Sequence, residues 1–133
     1  TVAKLCRHFA LPGANPVSIE RCSDKYTQRQ FLAQAGVPVP AYRLAANAME
    51  IESSAAKLGW PVILKPPEGS GSSGVRLCRD ANELAEHTTY LLGGKYPWRF
   101  STKILVEEFA QGSFYDVVTM GNSVVAIGAA DFD

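Results

Sequence analysis

The sequence predicts a mixed α+β domain. Three observations carry that expectation. Apolar residues recur at helical spacing through the first part of the chain. Short apolar, strand-like runs follow from Trp60 onward. The predicted order is helices, then β-β-α-β, then a hairpin, so the elements are segregated rather than regularly alternating.

The elements follow in order. Val2, Leu5 and Phe9 form one face of a first helix, which Leu11-Pro12-Gly13 should stop. A connector rich in Pro, Asn and Ser is expected next. Ser23 is suited to N-cap a helix over residues 24–35, with Phe31, Leu32 and Ala35 as its apolar stripe and Gly36 at C′. Val37-Pro38-Val39-Pro40 forces an extended segment. Asn47 and Glu50 make a capping box ahead of Ala48, Ile51, Ala55 and Leu58, with Gly59 closing that helix. Trp60-Pro61-Val62-Ile63-Leu64-Lys65 reads as a short buried strand carrying one lysine, and Val75-Arg76-Leu77-Cys78 as a second. Asp80 and Glu83 repeat the capping box before Leu84, Thr88 and Leu91, and Gly93-Gly94 ends the helix. A polar, aromatic loop is expected at 95–103, then a strand at 104–109 ending in acids. Residues 115–130 read as a hairpin turning at Gly121-Asn122.

Bulk properties bound the function. At 47% hydrophobic and 20% charged residues, the chain has the composition of a globular protein rather than a disordered one. Thirteen basic residues balance thirteen acidic ones, so no general attraction to nucleic acid or anionic lipid is expected. The cysteines, Cys6, Cys22 and Cys78, are widely spaced with no CxxC pair, as for free thiols in a reducing cytosol. His8 and His87 lack metal-like spacing and read as surface or helix-flank residues. No apolar run suits a membrane span or a secretory signal. The start in a helical pattern without Met, and the end just past an apolar run, read as cuts in a longer protein.

Gly69, Ser70, Gly71, Ser72, Ser73 and Gly74 match G-x-G-x-x-G literally. The dinucleotide-binding version must open a helix, whereas a predicted strand follows here. Walker A chemistry needs Lys-Ser/Thr after the last glycine, and Val75-Arg76 stand there instead. What remains is a strand–loop–strand hairpin, either a flexible surface loop or a backbone cradle for polyphosphate. Lys65 precedes the loop, either snorkelling at a strand end or meeting an anion. Lys25 sits in a first helical turn, where the dipole disfavours a cation unless solvent or an anion compensates. Glu107 and Glu108 end a strand, as exposed acids or as a ligand-facing edge. Arg76 faces either solvent or the loop.

Taken together, the segments from Cys22 onward resemble the ATP-grasp superfamily. The segments are Ser23-Asp24-Lys25, residues 35–40, Gly59-Trp60-Pro61-Val62-Ile63-Leu64-Lys65-Pro66, the loop with Val75, and Leu105-Val106-Glu107-Glu108-Phe109 followed by Gly112. They are most similar to biotin carboxylase, carbamoyl-phosphate synthase and amino-acid ligase groups. The resemblance implies an ATP-grasp fold fragment with a β-β-α-β lid and part of a central antiparallel sheet. It would comprise an N-terminal helical segment (1–60), the lid (61–109) and the start of the central sheet (110–133). It implies that Lys25 and Lys65 contact the phosphates of ATP, that residues 69–74 cover them, and that Glu107 accepts from the adenine amino group. The backbone of Glu108, Phe109 and Ala110 would line the base. The cofactors would be ATP and Mg²⁺, with metal ligands beyond residue 133. The partners would be ATP and a small carboxylate in a cytoplasmic protein, with room for a homo-oligomer at full length. The implied activity is a carboxylate–amine ligase working through an acylphosphate. Alternatives are a biotin carboxylase-type enzyme using bicarbonate and a non-catalytic nucleotide-binding module, including one fused to an argininosuccinate-lyase-like domain. One departure is that Phe114 stands where the family commonly has a ribose-binding acid, with Asp116 as a substitute.

Overall fold

The computed structural model describes residues 2–93, 102–121 and 123–130. Most of the expected 95–103 loop, Gly94, Asn122 of the hairpin turn and the terminal Asp131, Phe132 and Asp133 lie outside these residues. The described elements are α1 (Val2–His8), α2 (Pro16–Ser23), α3 (Lys25–Gln34), β1 (Tyr42–Ala45), α4 (Ala48–Leu58) and β2 (Val62–Lys65). They continue as β3 (Arg76–Cys78), α5 (Ala81–Leu92), β4 (Ile104–Glu108), β5 (Phe114–Met120) and β6 (Ser123–Ala130).

Strands β1 to β4 form one four-stranded antiparallel sheet in the order β1-β4-β2-β3. The expected β-β-α-β unit is β2-β3-α5-β4. The sheet also takes β1 from the 1–60 segment, just after the extended stretch expected at 37–40 and where no strand was expected. Its short sequence, Tyr42-Arg43-Leu44-Ala45, has too few alternations to announce a strand; pairing with β4 supplies the missing order.

Strand alternation divides this sheet into two faces. Ala45, Val62, Leu64, Cys78, Ile104 and Val106 point to one side and pack against Ile51 and Ala55 of α4 and Leu84 and Leu91 of α5. Their neighbours in register, Tyr42, Lys65, Leu105 and Glu107, belong to the other side, which α3 approaches. The helical stripes of α4 and α5 were therefore correctly legible as core. Those of α1 and α3 were not: Val2, Leu5, Phe9 and Phe31 are exposed, and α3 buries no residue fully. The Phe31 ring instead carries the Arg21 guanidinium 4.2 Å from its centroid.

Caps fix the helix ends. The residues expected to form a plain connector include α2, N-capped by Asn15 with Pro16 as its first residue. Asp24 rather than Ser23 caps α3, accepting from Thr27 N at 2.7 Å, while Ser23 Oγ bonds back to Ile19 O. At its other end Gly36, at φ +75°, completes a Schellman closure with Gly36 N–Ala33 O and Val37 N–Leu32 O bonds of 3.0 Å. Asp80 accepts from both Asn82 N and Glu83 N, and Glu83 returns a bond to Arg79 N. Asp80→Ala is expected to lower stability by about 1 kcal/mol in urea unfolding, because both amides then lose their acceptor.

Among the described residues β5 and β6 pair only with each other, in a separate two-stranded sheet with a register shift between Val118 and Thr119. Val117, Val118, Val124, Val125 and Ile127 are exposed, so both faces of this ribbon are open. Among the described residues no helix is long and apolar enough to cross a membrane. The three cysteines are free.

Candidate nucleotide site

The site is built on the sheet face opposite the core. Lys65 stands across from Leu105 on β4, which makes Glu107 its diagonal neighbour on the same face. The Lys65 ammonium pairs with Glu107 Oε2, and Arg29 Nε donates to Glu107 Oε1 at 2.8 Å. The side chains of Glu107, Lys65 and Arg29 are only 4%, 13% and 20% exposed, so this is a nearly buried cation–carboxylate–cation cluster. Such charges are tolerated inside only when paired and hydrogen-bonded.

Arg29 comes from α3, one turn beyond Lys25 and on the same helix face. Lys25 reaches the loop: its Nζ donates to Gly69 O at 2.9 Å and its backbone N to Pro67 O at 2.8 Å. Asp24 and Glu68 form an antiparallel bridge beside these bonds. The start of α3 is thus strapped to the start of the glycine–serine loop. Partial burial pushes the Lys25 ammonium below the ordinary lysine range, and the positive charge of Lys65 acts in the same direction. Lys25, Lys65 and the loop therefore share one electrostatic neighbourhood.

The loop connects β2 to β3 as an antiparallel hairpin, with Val62 opposite Cys78 and Leu64 opposite Arg76. A strand, not a helix, follows the glycines, as expected from the sequence. Gly69, Gly71 and Gly74 have φ of +128°, +63° and +73°, and Ser72 follows suit at +57°. An added Cβ at Gly69 or Gly71 would meet nothing within 4 Å, so backbone conformation, not space, calls for glycine there. Gly69, Ser70, Gly71, Ser72 and Ser73 are exposed and Gly74 is half-buried. An open depression of about 510 Å³ lies beside the loop, lined by Cys22, Ser23, Lys25, Gln28, Glu68 and Gly69. A larger one, about 750 Å³, lies between α3, β1 and α4, and neither the loop nor Lys25 nor Lys65 lines it.

The remaining expected site residues lie at the end of β4. Glu108 is exposed, with N bonded to Ala41 O and its carboxylate accepting from Ala41 N. Phe109 N donates to Pro61 O at 3.3 Å, and Ala110 is exposed. Arg76 resolves toward solvent, its Nη2 donating to Glu86 Oε2 at 2.9 Å. Phe114 begins β5 opposite Ala130, and Asp116 is exposed two residues on.

Two residues escaped the sequence reading. Arg29 was signalled only by its four-residue offset from Lys25. His87, expected as a surface or helix-flank residue, is buried, and its Nε2 lies 2.9 Å from Gly74 O. Among the described residues no cluster of three or more His, Cys, Asp or Glu side chains could hold a metal ion.

The chain is 58% identical over 132 residues to the uncharacterized protein y4rH of Sinorhizobium fredii, covering 99% of the chain and 28% of that protein. It is 30% identical over 105 residues to a D-alanine--D-alanine ligase of Gloeobacter violaceus, covering 77% of the chain and 33% of the ligase. The chain thus spans a third or less of the length of these relatives. Its fold matches the biotin carboxylase domain of Hydrogenobacter thermophilus 2-oxoglutarate carboxylase, solved with MgADP, ADP and bicarbonate. The TM-score is 0.72 at 26% identity, over 80% of this chain and 24% of that one. The ATP-grasp domain family matches residues 22–129, and by that match the chain belongs to the ATP-grasp family.

Proposed function

We propose that this chain supplies the lid and adjoining nucleotide-binding parts of an ATP-dependent carboxylate–amine ligase that works through an acylphosphate. The observation that carries the reading is the convergence of Lys25, Lys65 and the loop on one side of one sheet. The similarity to an amino-acid ligase supports the carboxylate–amine chemistry. A second reading, bicarbonate activation as in biotin carboxylases, draws on the structural likeness reported above. The segments 1–60, 61–109 and 110–133 serve as approach, lid and start of a central sheet, with β1 belonging to the lid's sheet.

In this reading Lys25 and Lys65 meet the phosphates from two elements. The loop's amides and the hydroxyls of Ser70, Ser72 and Ser73 cover them, and the closed loop keeps water from a labile acylphosphate. Phosphoryl transfer gains mainly from such positioning and charge neutralisation. Glu107 holds Lys65 and Arg29 in place and, with a lone pair left on its carboxylate, accepts from the adenine amino group. The adenine then lies against residues 108–110, and a cytoplasmic setting suits the three free thiols.

Calorimetric titration with ATP tests the proposal and carries a pH signature. Lys25 loses its proton below the ordinary lysine range, and a bound polyphosphate favours the charged form. Binding should take up a proton at alkaline pH. Affinity should fall by about tenfold as Lys25 deprotonates. Lys25→Arg should keep its affinity to higher pH, because guanidinium stays charged. No saturable heat with ATP at neutral pH would overturn the reading.

A further inference from the structure

The glycine–serine loop leaves its tip through a peptide that is held on both sides. The Gly74 carbonyl faces His87 Nε2 at 2.9 Å, and the Val75 N–H of the same peptide donates to Ser72 O at 3.0 Å. A carbonyl can only accept, so the ring must carry its proton on Nε2. His87 stands on the buried face of α5 with Leu84, Thr88 and Leu91. The ring of Tyr90 stacks on it at 5.5 Å with 21° between the planes, which fixes the imidazole's orientation. Burial pushes its pKa below the ordinary value, and Arg76 adds to that, while the Gly74 carbonyl and Glu86 oppose it.

The other end of the loop is held differently, by Lys25 Nζ on Gly69 O. Between these two points run Ser70, Gly71, Ser72 and Ser73, two of them in left-handed conformations. Backbone in such conformations persists where its surroundings over-determine it. The one N–H of this buried imidazole goes to the last residue of the loop, so the bond ties the loop's exit to α5. We propose that His87 is a positioning residue for this loop: its Nε2–H fixes the Gly74–Val75 peptide and so aims residues 70–73 at the bound triphosphate. The nature of the ligand rests on the nucleotide reading above; the clamp itself does not.

The test compares the full chain with two variants. His87→Phe keeps the ring volume and the stack but has no donor. His87→Gln places an amide N–H near the same spot. In His87→Phe the loop amides around Val75 should exchange about tenfold faster, and ATP should bind about tenfold more weakly. His87→Gln should bring both back to within about threefold. Unchanged exchange and affinity in His87→Phe would overturn the proposal. So would a His87→Gln chain that melts like the wild type yet binds as poorly as His87→Phe. A long-range proton–nitrogen spectrum of the wild type needs no variant: a proton on Nδ1 instead of Nε2 sinks the clamp. If the wild type fails to bind ATP, the nucleotide reading fails, and the exchange data alone then decide for or against the clamp.

Discussion

Glu107→Gln is expected to destabilise the chain by about 3 kcal/mol, the larger of two strong effects. The carboxylate is 4% exposed and joins two cations that come from α3 and β2. The amide fills the same space but leaves Lys65 and Arg29 facing each other without a counter-charge. Replacing a buried ion cluster with apolar groups can be neutral, whereas removing one partner alone is not. The Coulomb repulsion is partly relieved because the cation heads keep some exposure, which places the expected loss near the lower end for buried pairs. Urea unfolding should show a lower midpoint with an unchanged slope. The double change Glu107→Gln with Lys65→Met should recover part of the loss by removing one of the two repelling charges. A midpoint within experimental scatter of wild type in the single variant would mean that the cluster does not hold the sheet face to α3.

Lys65→Ala is expected to weaken ATP binding ten- to hundred-fold, about 1.4 to 2.7 kcal/mol. An ammonium has three donors. Its ion pair with Glu107 takes one of them, and in the proposed reading the others are left for phosphate. Because Lys65 is 13% exposed, its charge acts through less water than that of a surface lysine. Lys65→Arg should fall between, since the fork geometry suits phosphate but not the existing pair with Glu107. Equal ATP affinity in wild type and Lys65→Ala, with the fold intact by circular dichroism, would remove Lys65 from the site.

The sequence was most informative where local chemistry decides the outcome. Asn47 and Asp80 cap α4 and α5 as their spacing suggested, and the stripes Ile51–Ala55 and Leu84–Leu91 form the core. The β2–loop–β3 hairpin was legible because only a strand pattern follows the glycines. It failed where partners are distant. β1 became a strand through pairing with β4, some sixty residues away. α1 and α3 have good apolar stripes that this structure leaves open. The proximity of Lys25 and Lys65 to the loop could be expected from resemblance, but Arg29 and His87 owe their roles to tertiary placement. Neither His87's neighbours in sequence nor its spacing from His8 reveals that it reaches Gly74.

The order of strands also bears on how the chain comes together during synthesis. β4 lies between β1 and β2, yet it is the last of the four to leave the ribosome. Until it arrives, β1 has no sheet partner and the β2–β3 hairpin has a bare flank, so pairings across long stretches of chain must wait for it. When it inserts, it carries Glu107 into a place where Lys65 and Arg29 have already been made. The final strand to dock thus brings the carboxylate that pairs with the two waiting positive charges, which couples completion of the sheet to assembly of the charge cluster.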